Sequence, residues 1–351
     1  MMQNGIHHVT AIAGPARRNH DFYTGTLGLR LVKKAVNFDD PTTYHFYYGD
    51  EAGQPGSIVT HFPWEHAAQG QVGPGETQET LLRIPAAALG YWTHRLLEKG
   101  VRHDPIEKRF GETLLPFSDP DGMRLALVAR PGIERELAWS GSEVPAEHAI
   151  RGLHGVTLLL ADAAPTGAIL TDVLGFAEQG REGALTRYRT QAPIGGVVDI
   201  RAVPGFPRGR QGRGSVHHIA FRAASDAAQA AMVRRLAENH GIRTTEQKDR
   251  NYFRSVYFRE PGHVLFEIAT DVPGFAVDEP ASALGQVLKL PRFLEPRRGE
   301  LEAVLARRWP VSARAGSNPQ GTERRTTTSP VTRAPALREG RHGPALASRR
   351  A

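Results

Sequence analysis

The chain has 351 residues, of which 40% are hydrophobic and 23% charged, with a formal charge of +7 and no cysteine. At about 100–200 residues per domain, this length points to two domains, each large enough to bury a core. Zero cysteine excludes a disulfide scaffold, thiolate zinc sites and a Cys nucleophile.

The charge sits at one end. Residues 310–351 hold eight Arg and two Glu, which is +6 of the +7 and leaves +1 for residues 1–309. A near-neutral body has no charge excess to neutralise phosphates, so no nucleic-acid partner is expected. The N-terminus reaches His7-His8 before any apolar run, and no stretch approaches the ~18 apolar residues of a membrane span. The expectation is a cytoplasmic protein with no membrane partner.

Taken in chain order, a short apolar strand followed by a helix recurs four times. Residues 5–14 (Gly-Ile-His-His-Val-Thr-Ala-Ile-Ala-Gly) lead to a helix at about Arg18–Leu27, then strands Leu29–Asn37, Thr43–Gly49 and Ser57–Phe62. Thr80–Ile84 leads to a helix at about Ala87–Lys99. Residues 152–160 (Gly-Leu-His-Gly-Val-Thr-Leu-Leu-Leu) lead to a helix at about Pro165–Leu174. Residues 215–224 (Ser-Val-His-His-Ile-Ala-Phe-Arg-Ala-Ala) lead to Asp226–His240 and strands Ser255–Arg259 and Val264–Thr270. Gly28, Gly100, Gly175 and Gly241 follow the four helices, where a left-handed residue ends a helix. The second and fourth copies share a hairpin, Asp119-Pro120-Asp121-Gly122 against Glu260-Pro261-Gly262-His263, with an acid-Pro step and a Gly for turn geometry.

These patterns predict an α+β fold of four βαβββ modules in two tandem domains, each forming a half-barrel cup. The expected divisions are 1–140 (modules 1 and 2), a linker 141–151, 152–275 (modules 3 and 4), a packing segment 276–309 and a disordered tail 310–351. In the packing segment, Leu284, Val287, Leu288, Leu290, Phe293 and Leu294 are expected to cover the core.

The candidate metal site is His8, His218 and Glu267, because two imidazoles and one carboxylate make the facial triad of non-haem Fe(II) sites. His8 and His218 hold the same place in equivalent first strands. Strict alternation would turn both to one face and His7 and His217 to the other. Glu267 stands in an apolar strand, where a carboxylate costs several kcal/mol unless paired or metal-bound, and the aligned position in module 2 is Ala126. His154 aligns with His7 and Gly155 with His8, so His154 should face away. His61 could also reach the cup and ranks below the triad.

With these residues assembled, Gly5-Ile-His-His-Val-Thr-Ala, Asp21-Phe-Tyr-Thr-Gly-Thr-Leu-Gly-Leu-Arg-Leu-Val-Lys-Lys and Val36-Asn-Phe-Asp-Asp-Pro resemble the ring-cleaving dioxygenases of the vicinal oxygen chelate superfamily. So do Tyr44-His-Phe-Tyr-Tyr-Gly-Asp-Glu, Phe62-Pro-Trp, Val216-His-His-Ile-Ala-Phe, Asp249-Arg-Asn-Tyr-Phe and Leu265-Phe-Glu-Ile-Ala-Thr-Asp, over about residues 3–310. The resemblance is to the branch with hydroquinone dioxygenases, since Gly155 stands where catechol extradiol enzymes carry their first ligand. It implies Fe(II), or Mn(II) on the same donors, at His8, His218 and Glu267, with supporting roles for His7, Thr10, His217, Arg250 and Tyr257. The implied reaction inserts O2 into a dihydroxylated aromatic ring with C–C cleavage, in aromatic-compound catabolism or quinone detoxification. Its partners are a small aromatic substrate and O2, in a homo-oligomer. The competing readings are a catechol extradiol dioxygenase, a glyoxalase-like isomerase or lyase with a Lewis-acid metal, and a metal-free binding protein.

Overall fold

The computed structural model describes residues 4–309; the tail from residue 310, and the expectation of disorder placed on it, lie outside the described residues. The predicted modules are present in full. Module 1 comprises β1 (Ile6–Ala13), α1 (Ala16–His20) running into a π-helical turn Asp21–Thr26, β2 (Arg30–Val36), β3 (Tyr44–Gly49) and β4 (Ile58–Pro63). Module 2 comprises β5 (Glu76–Pro85), α2 (Leu89–Glu98), β6 (Glu107–Arg109), β7 (Glu112–Ser118) and β8 (Arg124–Arg130). Module 3 comprises β9 (Leu153–Leu160), α3 (Ala164–Asp172), β10 (Ala177–Glu182), β11 (Leu185–Arg189) and β12 (Val197–Ala202). Module 4 comprises β13 (Val216–Ala223), α4 (Asp226–His240), β14 (Lys248–Asp249), β15 (Arg254–Arg259) and β16 (Leu265–Thr270), and α5 (Arg298–Arg308) closes the segment.

Local chemistry sets the element ends. Ser225 caps α4 by accepting a hydrogen bond from the Ala228 amide, and Gly241 ends it at φ +63°. The two matched hairpins use their acids the same way. Asp119 accepts from the Asp121 and Met123 amides, and Glu260 from those of Gly262 and Val264. The left-handed position is Gly122 in the first hairpin but His263 (φ +77°), not Gly262, in the second.

Two eight-stranded, curled sheets result, ordered β14-β15-β16-β13-β1-β4-β3-β2 and β10-β11-β12-β9-β5-β8-β7-β6. Each is joined at its centre by an antiparallel pair, β1 with β13 and β5 with β9. The tandem copies therefore interlock: module 1 shares a sheet with module 4, and module 2 with module 3. The expected linker 141–151 does not separate the two sheets, and its Val144 and Ile150 are buried.

The core lies on the helix-covered faces. Val9, Ile219, Phe221 and Phe266 share one cluster with Met232 and Leu236 of α4. Each such side chain contributes roughly 1.5–3 kcal/mol on full burial. Residues 276–309 pack against module 1 through Leu284, Leu290, Leu294, Leu301 and Leu305, while Val287 and Phe293 are exposed, contrary to the sequence expectation. Val287 lies in an irregular stretch and Phe293 in the short 3-10 helix Arg292–Arg297, each on the outer side, and Leu301 and Leu305 of α5 supply the missing contacts. Buried Lys33 anchors the segment by pairing with Asp278 (2.6 Å) and Glu279. No helix among the described residues is long and apolar enough to cross a membrane.

Candidate active site

Strand alternation puts His8 and Thr10 on the concave face of β1. Register brings His218 opposite Thr10, and Glu267 beside Ala220. Three strands thereby deliver His8, His218 and Glu267 to one point, with one ligand atom of each within 4.8 Å of the others and all three buried. Glu267 Oε2 lies 2.9 Å from His218 Nε2 and 3.5 Å from His8 Nε2 but makes no aligned hydrogen bond among the described residues, while Oε1 accepts from the Ser255 hydroxyl. Burial alone would raise the Glu267 pKa; the adjacent imidazoles outweigh it and hold the carboxyl well below its ordinary range. Burial pushes His218 down, so neutral imidazole faces ionised carboxylate. Two imidazole nitrogens and an anionic oxygen that lacks an aligned hydrogen bond fit a divalent cation.

His7 and His217 do not point away as strict alternation predicts. The β1–β13 register slips between Ile6 and His8 and again at His217, so each histidine pair sits at a β-bulge, where the extra residue turns toward the same side as its neighbour. His7 Nδ1 lies 2.9 Å from His8 Nδ1, and His217 Nδ1 lies 2.7 Å from His218 Nδ1. Each ligand candidate is thus steadied through Nδ1 and leaves Nε2 toward Glu267.

Above the triad opens a cavity of about 420 Å³, lined by His8, His217, His218 and Glu267 and by Phe62, Trp64, Phe253 and Leu265. Arg250 and Tyr257 also line it, and Arg250 Nε donates to the Tyr257 hydroxyl (3.1 Å). Burial and the Glu267 charge keep the Tyr257 phenol protonated. Thr10 is fully buried and bonded to Thr60.

Among the lining residues that the sequence did not single out for the site are His45, Tyr47, Phe62 and Phe253. The alternating apolar and polar pattern of Tyr44–Gly49 marks a strand, but no local signal says that its His45 and Tyr47 face the cavity.

The competitors lie elsewhere. His154 pairs with Glu112 (3.0 Å) on the second sheet, which Arg187 also contacts (2.6 Å). His61 is buried between the Tyr23 and Tyr48 rings, with neither nitrogen hydrogen-bonded among the described residues. It sits one residue from Thr60, so alternation turns it to the core side of β4.

Comparison with known proteins gives consistent relatives. The sequence profile of the Glyoxalase/Bleomycin resistance protein/Dioxygenase superfamily matches residues 5–127 and 152–268. MhqO of Bacillus subtilis (strain 168), named as a ring-cleaving dioxygenase, is 47% identical over 301 residues, 86% of this chain and 95% of that protein. The chlorohydroquinone/hydroquinone 1,2-dioxygenase of Sphingobium indicum is 33% identical over 303 residues, 85% of this chain and 94% of that protein. A crystal structure of a Bacillus subtilis (strain 168) protein designated a dioxygenase superposes with a TM-score of 0.81 at 45% identity, covering 86% of this chain and 96% of that one.

Proposed function

Because the chain belongs to the Glyoxalase/Bleomycin resistance protein/Dioxygenase superfamily, we propose that it is a metal-dependent ring-cleaving dioxygenase acting on hydroquinones. The observation that carries this reading is the convergence of His8, His218 and Glu267 at the base of an aromatic-walled cavity. These three residues would hold Fe(II), with Mn(II) fitting the same donors. Bound there, the metal would supply the redox chemistry that ordinary side chains lack.

The chain's own groups bind and orient the ring. Phe62, Trp64, Phe253 and Leu265 offer apolar surface to an aromatic ring and exclude water around it. The two hydroxyls of a hydroquinone lie across the ring, so one directed at the triad leaves the other for the Arg250 and Tyr257 side of the cavity. Tyr257 accepts from Arg250 Nε, so its own hydrogen remains to donate to that distal oxygen. The Arg250 cation offsets negative charge that develops there. His217, whose pKa burial and neighbouring His218 push down to about 3, stays neutral and can hold the substrate by a hydrogen bond without adding charge.

Anaerobic loading with Fe(II), followed by an oxygen-electrode assay against a panel of hydroquinones and catechols, tests the reading. Stoichiometric O2 uptake with a hydroquinone is expected. An iron-loaded protein that consumes no O2 with any member of the panel overturns it.

A further inference from the structure

The segment joining β2 to β3 forms part of the cavity wall, and one carboxylate organises it. Asp40 Oδ1 accepts from the Thr42 hydroxyl (2.7 Å), and Oδ2 accepts from the Thr43 hydroxyl (2.7 Å) and from the Trp64 indole Nε1 (3.0 Å). Each direction is forced, since a carboxylate only accepts and an indole nitrogen only donates. Thr43 is fully buried and accepts in turn from Arg308 Nη1 at the end of α5 (3.1 Å). Partial burial would raise the Asp40 pKa; the bonds from Thr43, Trp64 and Thr42 outweigh it and hold the carboxyl below its ordinary value, so it stays ionised.

Trp64 follows β4 by one residue and lines the same cavity as Asp40, beside Phe62, whose ring centroid lies 5.4 Å from its own. Elsewhere its side chain borders a second pocket of about 280 Å³, which Asp40 and Arg308 also line. The indole thus has open space on two sides. Packing alone does not fix such a ring, and its one hydrogen-bonding group is the Nε1 that Asp40 holds.

We propose that Asp40 is a positioning residue: by holding Trp64 Nε1 it keeps the indole in place as the wall against which the ring of a phenol bound at the His8–His218–Glu267 site packs. Trp64 touches the ring, and Asp40 acts through Trp64. Arg308 and Thr43 brace the carboxylate from the α5 side. The inference rests on the proposed site. It also gives a reason for an acid in the wall of a cavity that takes electron-rich rings, because one carboxylate accepts from three donors at once.

The test uses the full-length chain loaded with Fe(II) under nitrogen and 4-nitrophenol as probe, titrated by its absorbance shift. Asp40→Ala and Trp64→Phe should each weaken binding about fivefold, the scale of one aromatic contact. Asp40→Asn should bind like wild type, because its carbonyl oxygen still accepts from the indole while its amide meets Thr42. In a Trp64→Phe chain, which has no indole to hold, adding Asp40→Ala should cost nothing further. Iron content should stay stoichiometric in all of them. Trp64→Phe leaves the β2–β3 segment untouched, so it carries the test even where Asp40→Ala does not fold. A wild type that binds no 4-nitrophenol, a Trp64→Phe or Asp40→Ala chain that binds it like wild type, an Asp40→Asn chain as weak as Asp40→Ala, an Asp40→Ala loss that persists in the Trp64→Phe chain, or iron lost from Asp40→Ala each overturns the proposal. The expected binding pattern in a protein that consumes no O2 with any hydroquinone or catechol overturns the reaction and leaves this inference standing. O2 uptake together with an unaltered Trp64→Phe affinity does the reverse.

Discussion

Arg109 Nη1 lies 2.8 Å from Glu79 Oε2, and Glu79 occupies in the second sheet the register position that His218 occupies in the first. The central pairs match residue for residue: β5–β9 carries its bulges at Gln78 and His154, as β1–β13 does at His7 and His217. The positions equivalent to the triad are then Glu79, Gly155 and Ala126, and the Arg109 guanidinium sits at that point, bonded to Glu79 and Thr157. One sheet gathers metal-ligand chemistry and its partner fills the same place with a buried ion pair.

That contrast sets the first prediction. His8→Ala, His218→Ala and Glu267→Ala should each lose stoichiometric iron, measured by metal analysis after anaerobic loading and desalting, while His154→Ala should keep it. Iron retained at wild-type level by any of the first three removes that residue from the set.

The Arg109–Glu79 pair is buried on both sides, at 7% and 4% exposure. Removing one partner leaves an uncompensated buried charge, which costs about 3–5 kcal/mol. Arg109→Leu should show that loss in urea unfolding, and the double change Glu79→Met with Arg109→Leu should recover most of it. Iron content should not change in either.

His61 gives the protein a defined acid weakness. Burial pushes its pKa down to about 3. Between about pH 6.5 and 3 the unfolded chain binds a proton that the folded chain does not, so stability falls as pH falls, by up to ~1.4 kcal/mol per pH unit. His61→Phe keeps the ring between Tyr23 and Tyr48 and removes the titration. Urea midpoints at pH 7.5 and 5, at equal metal loading, should show a drop smaller by about 2 kcal/mol in the variant.

Arg250 and Tyr257 are joined by a hydrogen bond and should act as a unit. Arg250→Gln and Tyr257→Phe should each lower kcat with a hydroquinone by about a hundredfold. The double variant should fall well short of the product of the two losses, because the groups share one task. Multiplying effects would assign them separate roles.

Much of this site could be read without coordinates. The recurrence of His-His at one place in two equivalent first strands, and an acid inside Leu265-Phe266-Glu267-Ile268-Ala269, brought His8, His218 and Glu267 forward through strand periodicity alone. Helix ends at Gly28 and Gly241 followed from the conformations glycine accepts. These are short-range properties, set by a residue and its near neighbours.

What the sequence by itself determined is therefore the module, its fourfold repetition and the three residues that converge. The tertiary structure alone decided that module 1 pairs with module 4, that bulges turn His7 and His217 toward the site, that Arg109 fills the second cup, and that Asp40 holds Trp64. The reason is physical. Pairing partners and register slips depend on contacts between strands far apart in the chain, and a single residue's slip reverses which side chains face the cavity.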